Sequence, residues 1–249
     1  MKRAQFLQLL GAGAGSLLCG RSWAETAELS VSSVEPLEGE TQLNAHFVNK
    51  GPGLGRRVAL TYDDGPTPKI TDRILKELSD RKLTATFFMI GNKVRQFQAL
   101  AREVAAAGHE LANHTFTHPA LSKLPDNLVH QELDRCQDAI GEVTGKKPVW
   151  FRPPYGAFHT PQGRMPRSKH LGVAYWSVDP QDWKKPGAAV ISQRILSKVQ
   201  PGSIILLHDL HTQSAEATPA VLDGLMERGY FLSPMSGFLG DPYGSYFAS

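Results

Sequence analysis

The sequence is short of cysteine and of net charge. Cys19 and Cys136 are its only cysteines, and Cys19 lies in an N-terminal segment that we predict is removed, so Cys136 would be left without a disulfide partner and is interpreted as a small buried residue. The 27 basic and 24 acidic residues nearly balance, and Lys2, Arg3 and Arg21 fall in the first 24 positions, which hold no acid. The remaining chain is close to neutral and lacks the basic surface that nucleic-acid binding requires.

Several catalytic signatures are also missing. Neither G-K-[ST] nor G-x-S-x-G occurs, which argues against phosphate-loop and nucleophile-elbow chemistry. The glycine cluster at 51–55 precedes a predicted strand instead of following one, so it is not a dinucleotide-binding fingerprint. A chain of 249 residues can bury a core without a structural metal, so any metal ligands are expected to serve function.

The first 24 residues have the features of an export signal. A basic start is followed by an apolar stretch and by Ser22-Trp23-Ala24, which is similar to an A-x-A cleavage site. The apolar run is shorter than the ~20 residues of a membrane span, so we predict cleavage before Glu25 and no membrane span thereafter, a retained anchor being the alternative. We expect export to the periplasm, the cell envelope or the medium; the route, general or twin-arginine, stays open.

From Arg57 onward, short apolar runs alternate with segments of helical periodicity, which is typical of β/α units around a parallel sheet. We predict one α/β domain over 57–240, after an irregular leader at 25–56 and before a short tail at 241–249. The predicted strands are Val58–Tyr62, Ala85–Ile90, Glu110–Ala112, Val149–Phe151, Ala174–Val178, Ser203–Leu207 and Tyr230–Leu232. Helices are predicted at Ile70–Leu78, Val94–Ala107 and Leu128–Val143, and left-handed C-caps at Gly108, Gly145, Gly172 and Gly229.

Polar clusters follow five of these strands. The carboxyl ends of parallel strands meet at one edge of a sheet, so we expect the clusters to lie close together. They are Asp63-Asp64-Gly65-Pro66, His114-Thr115-Phe116-Thr117-His118, Arg152-Pro153-Pro154-Tyr155-Gly156, Asp179-Pro180-Gln181-Asp182-Trp183 and Leu206-Leu207-His208-Asp209.

The first two clusters predict a metal site. If the segment from Thr115 to His118 forms a helical turn, the imidazoles of His114 and His118 share a face and can bind one cation. An aspartate from another strand end would complete a set of two histidines and one carboxylate. Taken singly, the acidic pair fits a turn or helix cap, and the histidines fit solvated side chains.

The other clusters offer groups for proton transfer and charge stabilisation. The two prolines leave the N–H of Tyr155 as a donor in a stiff loop, and Arg152 offers a fixed guanidinium to a carboxylate. His208 ends an apolar run, where Asp182 can set its tautomer and raise its pKa. A proline-rich turn with a surface arginine and a satisfied core histidine are the alternatives for these segments taken alone.

The five motifs, in this order over 57–238, resemble those of polysaccharide deacetylases of the NodB-homology type, carbohydrate esterase family 4. The resemblance implies a single distorted (β/α)7-type barrel with a mostly parallel sheet. Tyr62 stands where many members carry phenylalanine. The implied roles are catalytic base for Asp63, metal ligands for Asp64, His114 and His118, partner of the base for Arg152, oxyanion donor for the Tyr155 N–H, general acid for His208, tuning of that acid for Asp182, and walls of the acetyl pocket for Trp183 and Leu206.

The implied function is metal-dependent hydrolysis of N-acetyl groups on a glycan that contains N-acetylglucosamine, such as peptidoglycan, a chitin-like oligomer or an exopolysaccharide. Two imidazoles and a carboxylate favour one zinc ion, and cobalt, nickel or manganese can occupy the same ligands. A monomer and no nucleic-acid partner are expected. The alternatives are an O-acetyl esterase acting on acetylated xylan or a similar glycan, and a sugar-binding wall protein without turnover.

Overall fold

The computed structural model describes residues 47–53, 55–158, 164–240 and 242. The predicted export signal, the leader up to residue 46 and all but one residue of the predicted tail lie outside these ranges. The strands are β1 (Phe47–Val48), β2 (Arg57–Asp63), β3 (Thr86–Met89), β4 (Glu110–Asn113), β5 (Trp150–Phe151), β6 (Gly172–Ala174), β7 (Ile204–His208) and β8 (Phe231–Leu232). The α-helices are α1 (Ile70–Asp80), α2 (Gly91–Gln96), α3 (Gln98–Ala106), α4 (Asp126–Thr144), α5 (Arg164–Ser168), α6 (Ala188–Lys198), α7 (Thr212–Glu227) and α8 (Met235–Leu239).

The strands form one parallel sheet in the order β1-β6-β5-β4-β3-β2-β7, with β8 added beside β2. Among the described residues no continuous ladder closes the sheet. Its edges are linked by a parallel bridge between Val178 and Ile205 and by an antiparallel bridge between Lys50 and Ser203. The predicted α/β architecture with a mostly parallel sheet is confirmed.

Side-chain alternation along β2 explains how the fold positions chemistry. Val58, Leu60 and Tyr62 pack in an apolar cluster with residues of the surrounding helices. Ala59 belongs to a second cluster on the other face of the sheet. Since successive side chains of a strand point to opposite faces, Asp63 shares the inner face with Ala59 at the carboxyl end of the strand.

Three strand and cap predictions were wrong. The fifth strand was expected at Ala174–Val178, but β6 ends at Ala174, and the N–H groups of Ser177 and Val178 both donate to the carbonyl of Ile204 in β7. The segment after β6 leaves β5 and crosses to β7, at the other edge of the sheet. The leader was expected to be irregular, yet β1 pairs with β6. Gly172 lies inside β6 and is not a C-cap.

The helix predictions were correct in part. The predicted helices beginning at Ile70 and Leu128 are confirmed as α1 and α4, and the third is divided at Phe97 into α2 and α3. No helix was predicted between the last two strands, but α7 spans Thr212–Glu227. Gly108, Gly145 and Gly229 have the predicted positive φ angles.

Within the described ranges, no helix combines the length and the apolar character needed to cross a bilayer.

Gly172→Ala tests the packing inside the sheet. A Cβ at this position would lie 2.5 Å from Cζ3 of the buried Trp150, so we expect the free energy of unfolding to fall by about 1–3 kcal/mol. Gly141→Ala in α4 is the control, since its added Cβ would be 3.6 Å from Cγ of Lys147 and alanine favours helix. Denaturant unfolding measures both; equal stability of Gly172→Ala and the wild type contradicts the prediction.

Candidate active site

The five sequence motifs meet around one cavity of about 520 Å³ at the carboxyl ends of the strands. Arg152 and Asp182 are fully buried just behind its wall. The lining includes eight of the ten predicted site residues, Asp63, Asp64, His114, His118, Tyr155, Trp183, Leu206 and His208. Sheet geometry therefore brings together segments that are far apart in the chain.

Asp64, His114 and His118 form a cluster that fits a metal ion. One ligand atom from each lies within 4.8 Å of the others, and Oδ1 of Asp64 is 3.4 Å from Nε2 of His114 and 3.0 Å from Nε2 of His118. Oδ1 of Asp64 is buried and has no hydrogen-bond partner, as expected of an atom that binds a cation. Nδ1 of His114 donates to the carbonyl oxygen of Arg152 at 2.7 Å, so Nε2 is the ring nitrogen that faces the cluster.

Electrostatics within this cluster favour an ionised carboxylate. Burial opposes ionisation of Asp64, but the adjacent imidazoles of His114 and His118 hold the pKa of its carboxyl well below the usual range. Two imidazole nitrogens and a carboxylate oxygen are a donor set typical of zinc and similar divalent ions.

A loop, and not the expected helical turn, brings the two histidines together. Thr115 and His118 both have positive φ angles, +66° and +62°, which a right-handed helix does not allow. The loop is held by Asn113, whose Oδ1 accepts the Thr115 N–H at 2.9 Å, and by the Glu132 carboxylate of α4, which accepts two further main-chain N–H groups. The sequence analysis predicted from the spacing that the two histidines would lie close together. The helical turn expected between them was wrong.

The loop after β2 is held equally firmly. Asp64 has a positive φ of +76°, the Gly65–Pro66 peptide bond is cis, and Nζ of Lys93 donates to the Asp64 carbonyl at 2.8 Å. Gly65 packs directly against the buried carboxyl of Asp209, so a side chain at this position has no room.

Asp63 is oriented by a buried guanidinium. Nη1 of Arg152 donates to Oδ1 of Asp63 at 2.6 Å and to Oγ1 of Thr61 at 2.8 Å, while Nε and Nη2 donate to two main-chain carbonyls. The second oxygen of Asp63, Oδ2, lies 3.8 Å from Nε2 of His114, on the side of the metal-binding cluster. One carboxylate oxygen is thus anchored, and the other faces the cavity.

His208 stands across the cavity in a strongly acidic environment. Its Nδ1 bonds Oδ1 of Asp182 at 2.8 Å, and its main-chain N–H donates to Oδ2 of the same carboxylate at 2.8 Å. Burial alone would lower the pKa of His208, but Asp182, with smaller contributions from Asp63 and Asp64, raises it to about 9. The imidazole therefore carries a proton at neutral pH.

The rest of the wall is largely aromatic. Tyr155 has a φ of +61°, its side chain is 71% exposed, and its ring packs edge-on against His118 with 4.8 Å between centroids. Trp183 is half exposed, whereas Leu206 is buried at the base. Such a wall suits the apolar face of a sugar ring and a small methyl group.

Four residues of the cavity were missed by the sequence analysis: Pro153, Trp176, Asp179 and His211. Pro153 and Asp179 lie inside motifs that we had recognised. Trp176 was assigned to a predicted strand, where an aromatic residue is ordinary core material, and His211 lies beyond the last recognised motif, just before a helix that was not predicted. For His211, the signal that existed was its position three residues after His208.

Comparisons with known proteins agree with this geometry. Residues 50–176 match the family model described as polysaccharide deacetylase. A chitooligosaccharide deacetylase of Rhizobium leguminosarum bv. trifolii is 35% identical over 193 aligned residues, covering 71% of this chain and 89% of the relative. Against three other curated relatives the chain spans only 65%, 38% and 37% of their length.

Solved structures share the fold. The Bc1960 peptidoglycan N-acetylglucosamine deacetylase superposes with a TM-score of 0.76 and 30% identity, over 78% of this chain and 93% of that one. BA3943 of Bacillus anthracis, described as a pseudoenzyme of carbohydrate esterase family 4, gives a TM-score of 0.75 and 29% identity, over 79% and 69%. With the family match over more than half its length and close structural likeness, the chain belongs to the polysaccharide deacetylase family.

Proposed function

We propose that this protein hydrolyses N-acetyl groups of a glycan that contains N-acetylglucosamine, outside the cytoplasm. The observation that carries this proposal is that a carboxylate, Asp63, and a protonated imidazole, His208, flank one metal-binding cluster in the same cavity. The names of the relatives, which refer to chitooligosaccharides and peptidoglycan, support the substrate class. The export signal predicted at 1–24 supports an acetylated glycan outside the cytoplasm, such as peptidoglycan, a chitin-like oligomer or an exopolysaccharide.

Asp64, His114 and His118 would hold one divalent cation, zinc by preference. When bound, such a cation supplies positive charge that acidifies water and stabilises negative charge on oxygen. The unpartnered Oδ1 of Asp64 and the Nε2 atom of His114, freed by the hydrogen bond at Nδ1, support this assignment.

Asp63 is proposed as the general base. Its Oδ1 is held by Arg152, so the carboxylate cannot rotate, and Oδ2 faces the cluster and can accept a proton from water.

His208 is proposed as the general acid. Cleavage of an acetamide requires a proton on the departing nitrogen, and the imidazolium of His208 can deliver one from Nε2 while Nδ1 stays bonded to Asp182. Base and acid are thus different residue types in different environments, which allows one site to remove and donate protons at the same pH.

Substrate contacts are proposed for the aromatic wall. Tyr155 and Trp183 would flank the sugar, Leu206 would contact the acetyl methyl group, and the Tyr155 N–H would stabilise the oxyanion. Trp176 adds a further ring to the same wall.

Two other functions merit direct tests. The same groups can hydrolyse an ester, so the first of these functions is an O-acetyl esterase acting on acetylated xylan. A sugar-binding protein without turnover is the other, since a relative of the same fold is described as a pseudoenzyme. The complete set of ionisable groups in this cavity argues against the second.

Acetate release from N-acetylglucosamine oligomers tests the activity. We expect the wild type with zinc to release acetate, and Asp63→Asn to lower kcat/KM by at least ~100-fold because the base is lost. His114→Ala should behave similarly through loss of a ligand. Equal release by the wild type and both variants contradicts the proposal, and faster turnover of acetylated xylan under matched conditions would reassign the enzyme as an esterase.

Metal binding is tested apart from activity. Equilibrium dialysis should find one zinc ion per chain, and His118→Ala should weaken binding by at least about tenfold. His130→Ala is a control, since His130 lies on α4 and does not line the cavity. Zinc binding that is the same in all three proteins would place the ion elsewhere.

The charge of His208 predicts a pH dependence of stability. A folded-state pKa of about 9, above the usual 6.5, stabilises the fold fully below pH 6.5, and this contribution is lost as the pH rises through 9. Asp182→Asn should lower the pKa of His208, measured by NMR, by roughly two units, and should flatten the stability curve between pH 7 and 10. The exposed Asp138→Asn should change neither quantity; an unchanged His208 pKa in Asp182→Asn contradicts the assignment.

A further inference from the structure

A buried hydroxyl group contacts the Asp182–His208 pair from a third element. Ser214, in the first turn of α7, is fully buried, and its Oγ donates to Oδ2 of Asp182 at 2.6 Å. The motifs recognised in the sequence end at Asp209, so they do not include this residue.

The carboxylate of Asp182 is fully engaged. Oδ1 accepts from Nδ1 of His208 at 2.8 Å and from the N–H of Trp183 at 3.0 Å. Oδ2 accepts from the main-chain N–H of His208 at 2.8 Å and from Ser214. Among these donors Ser214 is the one that belongs to α7, so its bond ties the carboxylate to that helix.

The turn that carries Ser214 is itself held by hydroxyl groups. Oγ1 of Thr218 donates to the Ser214 carbonyl at 2.9 Å and lies 2.9 Å from the hydroxyl of Tyr62. A hydroxyl has one hydrogen to donate, so the Tyr62 O–H must be the donor to Thr218.

Tyr62 connects this turn of α7 to the strand that carries the proposed base. It precedes Asp63 on β2 and pairs in register with Leu207, next to His208. A phenylalanine at this position would have no hydroxyl for Thr218. Tyr62 therefore links the strand of the proposed base to the helix that contacts Asp182, the partner of the proposed acid.

We propose that Ser214 is a positioning residue for the general acid. Its hydroxyl orients the Asp182 carboxylate and limits the attraction of that carboxylate for the imidazolium proton, so that His208 can release the proton to the substrate. Tyr62 and Thr218 hold the turn that presents Ser214. This inference rests on the proposed function, in which His208 is the acid.

The charges around the imidazole determine in which direction the His208 pKa should change when the Ser214 hydroxyl is removed. The titratable groups facing His208 are Asp182, Asp63, Asp64 and His211. Removing the Ser214 hydroxyl leaves the buried Asp182 carboxylate with one donor fewer, so its negative charge is stabilised less and binds the imidazolium more strongly. His208 should then hold its proton more tightly and donate it more slowly.

Ser214→Ala and Ser214→Thr test the inference in the full chain. For Ser214→Ala we expect the His208 pKa, from an NMR titration assigned with a His208→Gln variant, to rise by about half a unit to one unit, and kcat to fall roughly tenfold with little change in KM. Ser214→Thr keeps a hydroxyl and should retain the wild-type pKa. Tyr62→Phe should shift the pKa in the same direction but less.

Ser192→Ala is the matched control, because Ser192 is a buried helical serine in α6 whose hydroxyl bonds only to a carbonyl of its own helix, that of Ala189. An unchanged or lowered His208 pKa in Ser214→Ala overturns the inference, as does an equal rise in Ser192→Ala. An inactive wild type would overturn the proposed function instead, and the NMR titration would still report on the Ser214–Asp182 contact.

Discussion

The buried contact between Arg152 and Asp63 organises the site. The guanidinium is fully buried, and its nitrogens donate to the Asp63 carboxylate, to Thr61 and to two main-chain carbonyls. The carbonyl of the same arginine accepts from Nδ1 of His114. One residue thus orients both the proposed base and a proposed metal ligand, and removing it would leave a buried charge without a partner, at a cost of about 3–5 kcal/mol.

The two groups proposed for proton transfer each have a buried side-chain partner in the same cavity. Arg152 stabilises the negative charge of Asp63, whereas Asp182 stabilises the positive charge of His208, whose pKa is raised to about 9. The parallel sheet makes this arrangement feasible because Asp63 and His208 are register partners at the ends of β2 and β7. Neighbouring strands therefore present the proposed base and acid to the same cavity.

Much of this could be predicted because the relevant signals are local. Polar residues that interrupt apolar runs marked the strand ends, and the parallel sheet placed Asp64, His114 and His118 together. The predictions that were wrong concern features that depend on long-range packing. The run from Ala174 to Val178 is apolar except for Ser177, and only its crossing to β7 shows that β6 ends early.

The sequence also did not predict the conformation of the loop between the two histidines or contacts with residues outside the recognised motifs. The spacing of the two histidines fits a helical turn as well as the observed loop, and the choice is made by Asn113 and by Glu132 from a distant helix. Ser214 lies in a segment with weak periodicity, and its role as a partner of Asp182 is visible only once α7 packs against the site.

The central claim is that one aspartate and two imidazoles of this cavity bind a single divalent ion beside Asp63. X-ray absorption spectroscopy of the zinc-loaded protein tests it most directly. The account predicts a first shell with two imidazole nitrogens and carboxylate oxygen at about 2.0–2.2 Å, in which the imidazole scattering is halved by His118→Ala. A spectrum without imidazole scattering, or one unchanged in that variant, would contradict it.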